Sequence, residues 1–82
     1  MSKKKKNYRF LIAWLDDSDS AGGPTGIHGA EDLEPQLALG NDHVSSWDFS
    51  CASIDEAYLI GVGRAFRENY TAHDSVSAVI TL

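Results

Sequence analysis

The segment Ser53–Asn69 contains the only long helical pattern in this sequence, and it constrains the fold more than any other stretch. Ser53 and Glu56 match the S-x-x-E capping box that precedes a helix, and Asp55 adds negative charge to the first turn, where the helix dipole favours it. The segment carries two rows of residues at i, i+4 spacing, one small and one large: Ala57, Gly61, Ala65, and Tyr58, Val62, Phe66. Since a row without bulk allows another backbone to come close, we predict that the helix lies flat on a sheet with the small row at the contact.

Alternating apolar residues predict three strands outside this helix. Tyr8–Leu15 has apolar residues on both faces, which is typical of a central strand with a helix on one side and partial cover on the other. Val44–Cys51 alternates between apolar and polar residues, as in a half-buried antiparallel strand, and Ser75–Leu82 closes the chain as a strand. The residues predicted to point inward are Trp47, Phe49 and Cys51 on the first of these two and Val76, Ala78, Ile80 and Leu82 on the second, with Ser75, Ser77 and Thr81 largely outward.

The segment Glu31–Leu39 gives two conflicting signals. Leu33 and Leu37 have helical spacing, whereas Pro35 interrupts a helix there. Leu37 and Leu39 alternate, which suits a short strand. With that strand the predicted fold is α+β, a small, mostly antiparallel sheet of about four strands in the order β-β-β-α-β, with one helix packed on one face. The other face then needs partial cover from a loop or from a partner.

Two segments are predicted to lie outside the sheet. Met1–Asn7 contains four consecutive lysines and is predicted to be a flexible basic arm, or an anion-binding arm, ahead of a single domain that spans residues 8–82. Asp16–Ala30 is rich in Asp, Ser and Gly, which predicts a polar loop. Its D-x-D-x-A-G start resembles the first half of a calcium loop, but the oxygen ligand at position five and the glutamate at position twelve are missing.

Charge is distributed unevenly along the chain. The net charge is −5, but four of the seven basic residues are the lysines of the arm, and from Asn7 onward three arginines stand against twelve acidic residues, a net charge of −9. Such a body repels nucleic acid and attracts basic protein surfaces. The carboxylates either form an ordinary soluble surface or imitate duplex DNA, which carries one charge about every 1.7 Å along its axis. The residues expected to bind a partner are Asp16, Asp17, Asp19, Glu31, Asp32 and Glu34.

The sequence contains none of the catalytic or cofactor-binding motifs tested against it. The G-x-G-x-x-F string inside the helix lacks the third glycine of a dinucleotide fingerprint, and no Walker sequence is present. His28, His43, His73 and Cys51 match no zinc-ligand spacing. We therefore expect a non-enzymatic protein with no cofactor and no metal. The single cysteine suits a reducing cytoplasm, and no apolar run approaches the roughly 20 residues of a membrane span.

Taken together, these features resemble the small phage-encoded anti-CRISPR proteins. The resemblance rests on a tiny single domain with an acidic body, one cysteine, a one-helix α+β pattern and no enzymatic motif, and it concerns type rather than a shared motif. It implies an inhibitor that binds a CRISPR effector complex, preferably of type I, at the basic surface that receives target DNA, and that blocks DNA binding by mimicry. It also implies a location in the cytoplasm of the bacterial host, with no direct nucleic acid binding and no catalysis.

The stretch from residue 44 to residue 69 is also similar to HicB-like antitoxin domains. After a strand, Cys51-x-Ser53-x-x-Glu56-Ala57 opens the helix, where those domains have a cysteine, a glycine-rich turn and Glu-Glu-Ala. Here Ala52 and Ser53 replace the polar–glycine pair, and a long loop replaces the tight hairpin after the first strand. This similarity implies an alternative function, the neutralisation of a small basic toxin.

Overall fold

Three strands and two helices make up the part of the chain that the computed structural model describes, namely residues 4–14, 29–40, 43–71 and 75–82. A short 3-10 helix, Ala30–Asp32, leads into the first of the two helices. In chain order the elements are β1 (Lys6–Trp14), α1 (Leu33–Ala38), β2 (Val44–Cys51), α2 (Ile54–Arg67) and β3 (Ser75–Thr81). The α+β class and the antiparallel sheet are confirmed, whereas the prediction of four strands and a single helix is wrong.

β1 is the central strand of the sheet, as its two apolar faces predict. The spatial order is β2-β1-β3, and both neighbours are antiparallel to β1. β2 and β3 therefore run parallel to each other on either side of β1, and α2 connects them in the manner of a split β-α-β unit. Phe10 lies near the middle of the register, opposite Trp47 on β2 and Val79 on β3.

The small row of α2 makes the contact with the sheet, as predicted. Ala57, Gly61 and Ala65 are the buried residues of this helix. The Phe10 ring occupies the space beside Gly61, and a Cβ placed on that glycine would overlap the ring. Burial of a side chain of this size stabilises a fold by about 1.5–3 kcal/mol. The other core residues on this face are Tyr8, Ile12, Trp14, Trp47, Phe49, Cys51, Val62, Tyr70 and Val79.

α1 covers the opposite face, and it replaces the strand predicted within Glu31–Leu39. The helical spacing of Leu33 and Leu37 was the valid signal, because both side chains pack on the sheet, Leu33 with no exposed surface. Pro35 is compatible with α1 because it is the third helical residue, in the first turn, where a backbone N–H has no partner within the helix. The residues that pack with them are Leu11, Ala13, Val44, Val76, Ala78 and Ile80.

β3 is covered on both of its faces, which corrects the prediction that Ser75 and Ser77 point outward, while Thr81 is exposed as predicted. Val76, Ala78 and Ile80 pack on the α1 side, as expected for inward residues. Leu82, predicted inward with them, is 55% exposed. The register with β1 sets Ser77 opposite Ile12 on the α2 side, so the serine face of the strand is the half-buried face beside α2.

Both ends of α2 are fixed by hydrogen bonds. At the start, the Ser53 hydroxyl accepts a hydrogen bond from the Glu56 N–H at 3.2 Å, which is the first half of the predicted capping box. At the end, Asn69 adopts a left-handed conformation with φ 70°, and the Tyr70 N–H donates to the Ala65 carbonyl at 3.0 Å in a Schellman arrangement. This turn carries Tyr70 into the core.

The predicted basic arm is described from Lys4 onward and ends two residues earlier than predicted, whereas most of the predicted loop falls outside the described residues. Of the predicted basic arm, Lys4 and Lys5 precede the sheet, while Lys6 and Asn7 are the first residues of β1. Of the loop Asp16–Ala30, including its calcium-loop-like start, only Gly29 and Ala30 are described.

Candidate interaction surfaces

Three of the six predicted partner-binding residues lie in one described segment, Glu31, Asp32 and Glu34, which we call the acidic segment. It spans the 3-10 helix and the first turn of α1. Leu33 lies within it and is fully buried against the sheet, so this anchor directs its neighbours away from the core. Glu31 and Glu34 are exposed and Asp32 is half-buried. The other three predicted residues, Asp16, Asp17 and Asp19, lie outside the described residues.

The charge around the acidic segment is predominantly negative. Within the described ranges neither Glu31 nor Glu34 has a partner in an ion pair, while Arg9 is bound by Asp48 on the same face of the sheet. Arg9 donates from Nε to Oδ1 at 2.8 Å and from Nη2 to Oδ2 at 3.1 Å. This hydrogen-bonded pairing lowers the pKa of Asp48 and raises the pKa of Arg9, and Glu34 contributes a smaller electrostatic increase to the pKa of Arg9. Arg9, the described cation on which Glu34 acts electrostatically, is therefore already engaged by another carboxylate.

Positive and negative charge lie toward opposite ends of the sheet. The lysines at positions 4–6 lie at the start of β1. The acidic segment is anchored through Leu33, which packs with Leu11 and Ala13 toward the other end of that strand. At about 3.4 Å per residue, Lys6 and Ala13 are about 24 Å apart along β1. The acidic segment and these lysines therefore lie toward different ends of β1.

The outer surface of α2 exposes several large apolar side chains, which the sequence analysis did not predict. Phe66 is 71% exposed and Leu59 is 70% exposed, although both belong to the long helix of a small domain. The other exposed large apolar residues on this helix are Ile54, Tyr58 and Ile60. A signal was present in the sequence, because two parallel apolar rows cover more of a helix than one contact with a sheet can bury.

The large row of α2, Tyr58, Val62 and Phe66, borders a groove of about 340 Å³ on the side of β3. Ser75 and Ser77 line the opposite wall, and core residues including Phe10 and Ile12 line the floor. On its other side, toward β2, α2 carries charge instead: the Arg64 guanidinium lies 4.6 Å from the centre of the Trp47 ring, in a cation–π contact. The two sides of α2 thus present different chemistry.

Cys51 and the histidines form no cluster in the part of the chain that the structure describes. Cys51 is 2% exposed, and its thiol donates to the Ser53 carbonyl at 3.4 Å, as fits the small core residue that its strand position predicts. His43 is exposed, and His28 and His73 lie outside the described residues. Among those described, no group of three potential metal ligands is found.

None of the described helices combines the length and apolar character that a membrane crossing requires.

Comparison with protein-family models gave no match, and comparison with the curated proteins and with the solved structures gave none either.

Proposed function

We propose that this protein is a non-enzymatic inhibitor that binds a basic protein surface through its acidic segment, and that its target is the DNA-receiving surface of a CRISPR effector. The observation that carries the proposal is the exposure of Glu31 and Glu34 without an ionic partner among the described residues, on a sheet face whose arginine is engaged by Asp48. Carboxylates in such a position are available to the lysines and arginines of another protein.

Mimicry of DNA supplies the mechanism. The residues of the acidic segment are spaced along about 5 Å of helix axis, given about 1.5 Å per residue, and phosphates follow each other at about 3.4 Å along one DNA strand. A surface that binds successive phosphates with Lys and Arg can bind these carboxylates instead. We extend the same role to Asp16, Asp17 and Asp19, which precede the segment in the chain.

The preferred target is a multisubunit type I effector in the cytoplasm of a bacterium, where a phage-encoded inhibitor acts against antiviral defence. Occupation of the DNA path explains inhibition without catalysis, cofactor or metal. Because the body from Asn7 onward is negatively charged, it repels nucleic acid. We therefore propose that the protein binds the effector and not the DNA.

A pull-down identifies the partner. The full chain serves as bait in a lysate from a bacterium that carries type I effectors, at low and at high salt, with and without target DNA. We expect recovery of an effector subunit at low salt, loss at high salt because the contacts are ionic, and loss upon addition of target DNA. Recovery that resists both salt and DNA, or no recovery, contradicts the proposal.

A matched pair of variants assigns the binding to the acidic segment. Glu31→Gln/Glu34→Gln removes two charges from it, and Asp55→Asn/Glu68→Gln removes two exposed charges from the ends of α2. We expect the first variant to lose the partner and the second to retain it, with circular dichroism to confirm that both are folded. Equal retention by both variants contradicts a role for the acidic segment.

Neutralisation of a small basic toxin, in the manner of HicB-like antitoxins, is the second candidate. The apolar surface of α2 favours it, because exposed aliphatic and aromatic side chains on one helix suit insertion into a groove of a partner. In the same pull-down, recovery of one small basic protein that survives high salt and the loss of Glu31 and Glu34 supports this alternative.

A further inference from the structure

Among the described residues, β3 has one edge without a neighbouring strand, and nothing in its own sequence protects that edge. It is an outer strand of the sheet, and its residues SVSAVIT contain no charge and no proline. Natural proteins usually protect such an edge with lysine, proline or a bulge, because unpaired backbone groups attract another strand. Within the described part of the chain, this edge is available for pairing with another strand.

The hydrogen bonds between β3 and β1 show which backbone groups of β3 point away from β1. The Leu82 N–H donates to the Asn7 carbonyl at 2.9 Å, so these two residues form a hydrogen-bonded pair of the antiparallel ladder. Because such pairs alternate, Val76, Ala78 and Ile80 bond toward β1 as well. The residues whose N–H and C=O groups point to the open edge are Ser75, Ser77, Val79 and Thr81.

The edge of β2, in contrast, is flanked by charge. Asp48 lies on this strand, in its ion pair with Arg9. On the α2 side of the same edge, Arg64, Arg67 and Glu68 surround Phe49. A second strand approaching β2 would have to accommodate these charged groups, whereas the β3 edge is bordered on the α2 side by the apolar row Tyr58, Val62 and Phe66.

We infer that two copies of this chain associate by antiparallel pairing of β3 with β3, so that the two sheets join into one of six strands. When the two-fold axis passes beside Ala78, all four outward residues are paired. Ser77 then lies opposite Val79 of the partner, and Ser75 lies opposite Thr81 of the partner. This arrangement forms about eight backbone hydrogen bonds between the copies. It is isologous and closed, so that it stops at a dimer.

The distance between the two helices fits this dimer. The axis keeps both α2 helices on the same face of the joined sheet, with their large rows facing each other. If each helix lies above β1 of its own copy, three strand spacings separate them by about 14 Å. The axes of two helices in direct contact are about 8–10 Å apart. The additional space between the two α2 helices corresponds to the two grooves, and Tyr58 and Phe66 of both copies fill it. Exposed aromatic rings thereby become buried.

The charge of the chain favours the β3 edge over the β2 edge for self-association. Two chains of net charge −5 repel each other wherever carboxylates meet. β3 and the large row of α2 carry no charge, so this contact avoids that cost. Asp74 directly precedes β3 in the sequence, and among the described residues the 3-10 helix with Glu31 and Asp32 contacts β3 from the opposite face. Antiparallel pairing sets the two 3-10 helices toward opposite ends of the joined strands.

The test is sedimentation equilibrium of the full chain over about 1–300 μM, since association is governed by concentration. We expect a monomer–dimer equilibrium for the wild type. Ser77→Pro removes an N–H that points to the open edge of β3 and should abolish the dimer. Ser46→Pro is the matched control, because by the same alternation its N–H points to the open edge of β2. It should dimerise as the wild type does. A wild type that stays monomeric throughout, or a folded Ser77→Pro that dimerises, overturns the inference.

A second pair of variants decides the matter if Ser77→Pro does not fold. Phe66→Ser and Leu39→Ser each remove a large apolar side chain that is mostly exposed, 71% and 79% respectively. Only Phe66 belongs to the proposed interface. We expect Phe66→Ser to weaken the dimer at least about tenfold and Leu39→Ser to leave it unchanged; equal effects overturn the inference. Because Glu31 and Glu34 stay intact in all four variants, loss of the dimer is distinguishable from loss of partner binding.

Discussion

Gly61 is the residue at which sequence and packing are most tightly connected. Its missing side chain allows the Phe10 ring to lie directly against the α2 backbone. Gly63, two residues later, faces open space: apart from its chain neighbours and the backbone of its own helix, no described atom lies within 4 Å of a Cβ built on it. Both glycines lie inside the same helix, so replacing either one changes the helix propensity by a similar amount. A difference between the two variants therefore measures the effect of packing against Phe10.

Alanine at these two positions should change stability in opposite directions. Gly61→Ala is expected to destabilise the fold by about 1–3 kcal/mol, because the new Cβ displaces the Phe10 ring. Gly63→Ala is expected to stabilise it by about 0.5–1 kcal/mol, because alanine is the better helix former at an exposed site. Urea denaturation of both variants measures the two values, and a stable Gly61→Ala would contradict the contact between α2 and the sheet.

The ion pair of Arg9 with Asp48 gives the fold a defined pH dependence. Since the folded state lowers the pKa of Asp48 from 3.8, its stabilising contribution is present above pH 3.8 and is lost as the pH falls through the lower folded value. We expect Asp48→Asn to lose less stability than the wild type on acidification below pH 3.8. Arg9→Gln should have the same effect, and the double variant should add nothing further. Thermal unfolding midpoints across the acidic range test this, and additive effects would contradict the pairing.

At the scale of elements, the sequence predicted what local pattern determines and missed what long-range packing determines. α2 was predictable because its cap, small row and dipole charges agree, and β2 because its alternation has a single period. α1 was not, because the helical spacing of Leu33 and Leu37 competed with Pro35, whose effect depends on its place in the helix. The position of Tyr70 could not be predicted either, since it depends on the left-handed turn at Asn69.

Asn69 should tolerate glycine and no β-branched residue. Its φ of 70° belongs to the left-handed region, which glycine adopts freely and most side chains adopt at a cost of about 1–2 kcal/mol. We therefore expect Asn69→Gly to leave the free energy of unfolding within about 0.5 kcal/mol of the wild type and Asn69→Val to lower it by at least about 1 kcal/mol. Chemical denaturation measures both, and equal values would contradict the Schellman ending of α2.

At the scale of the whole molecule, the described residues separate three kinds of surface. The acidic segment lies on one face, the lysines lie near the start of β1, and the apolar row of α2 borders the open edge of β3. The sequence predicted the acidic clusters from charge alone, and the structure adds that Glu31 and Glu34 are exposed. The large apolar row of α2 was visible in the sequence, but its place beside β3 depends on tertiary packing and could not be predicted.

The central claim is that the acidic segment occupies a surface that otherwise binds DNA. The most direct measurement is displacement of fluorescent target DNA from the purified effector, followed by anisotropy at increasing concentrations of this protein. For competition at one surface, the apparent dissociation constant of the DNA rises linearly with the concentration of this protein, and Glu31→Gln/Glu34→Gln weakens the effect at least about tenfold. If DNA and this protein bind the effector together with unchanged affinities, or if the variant competes as well as the wild type, the claim is contradicted.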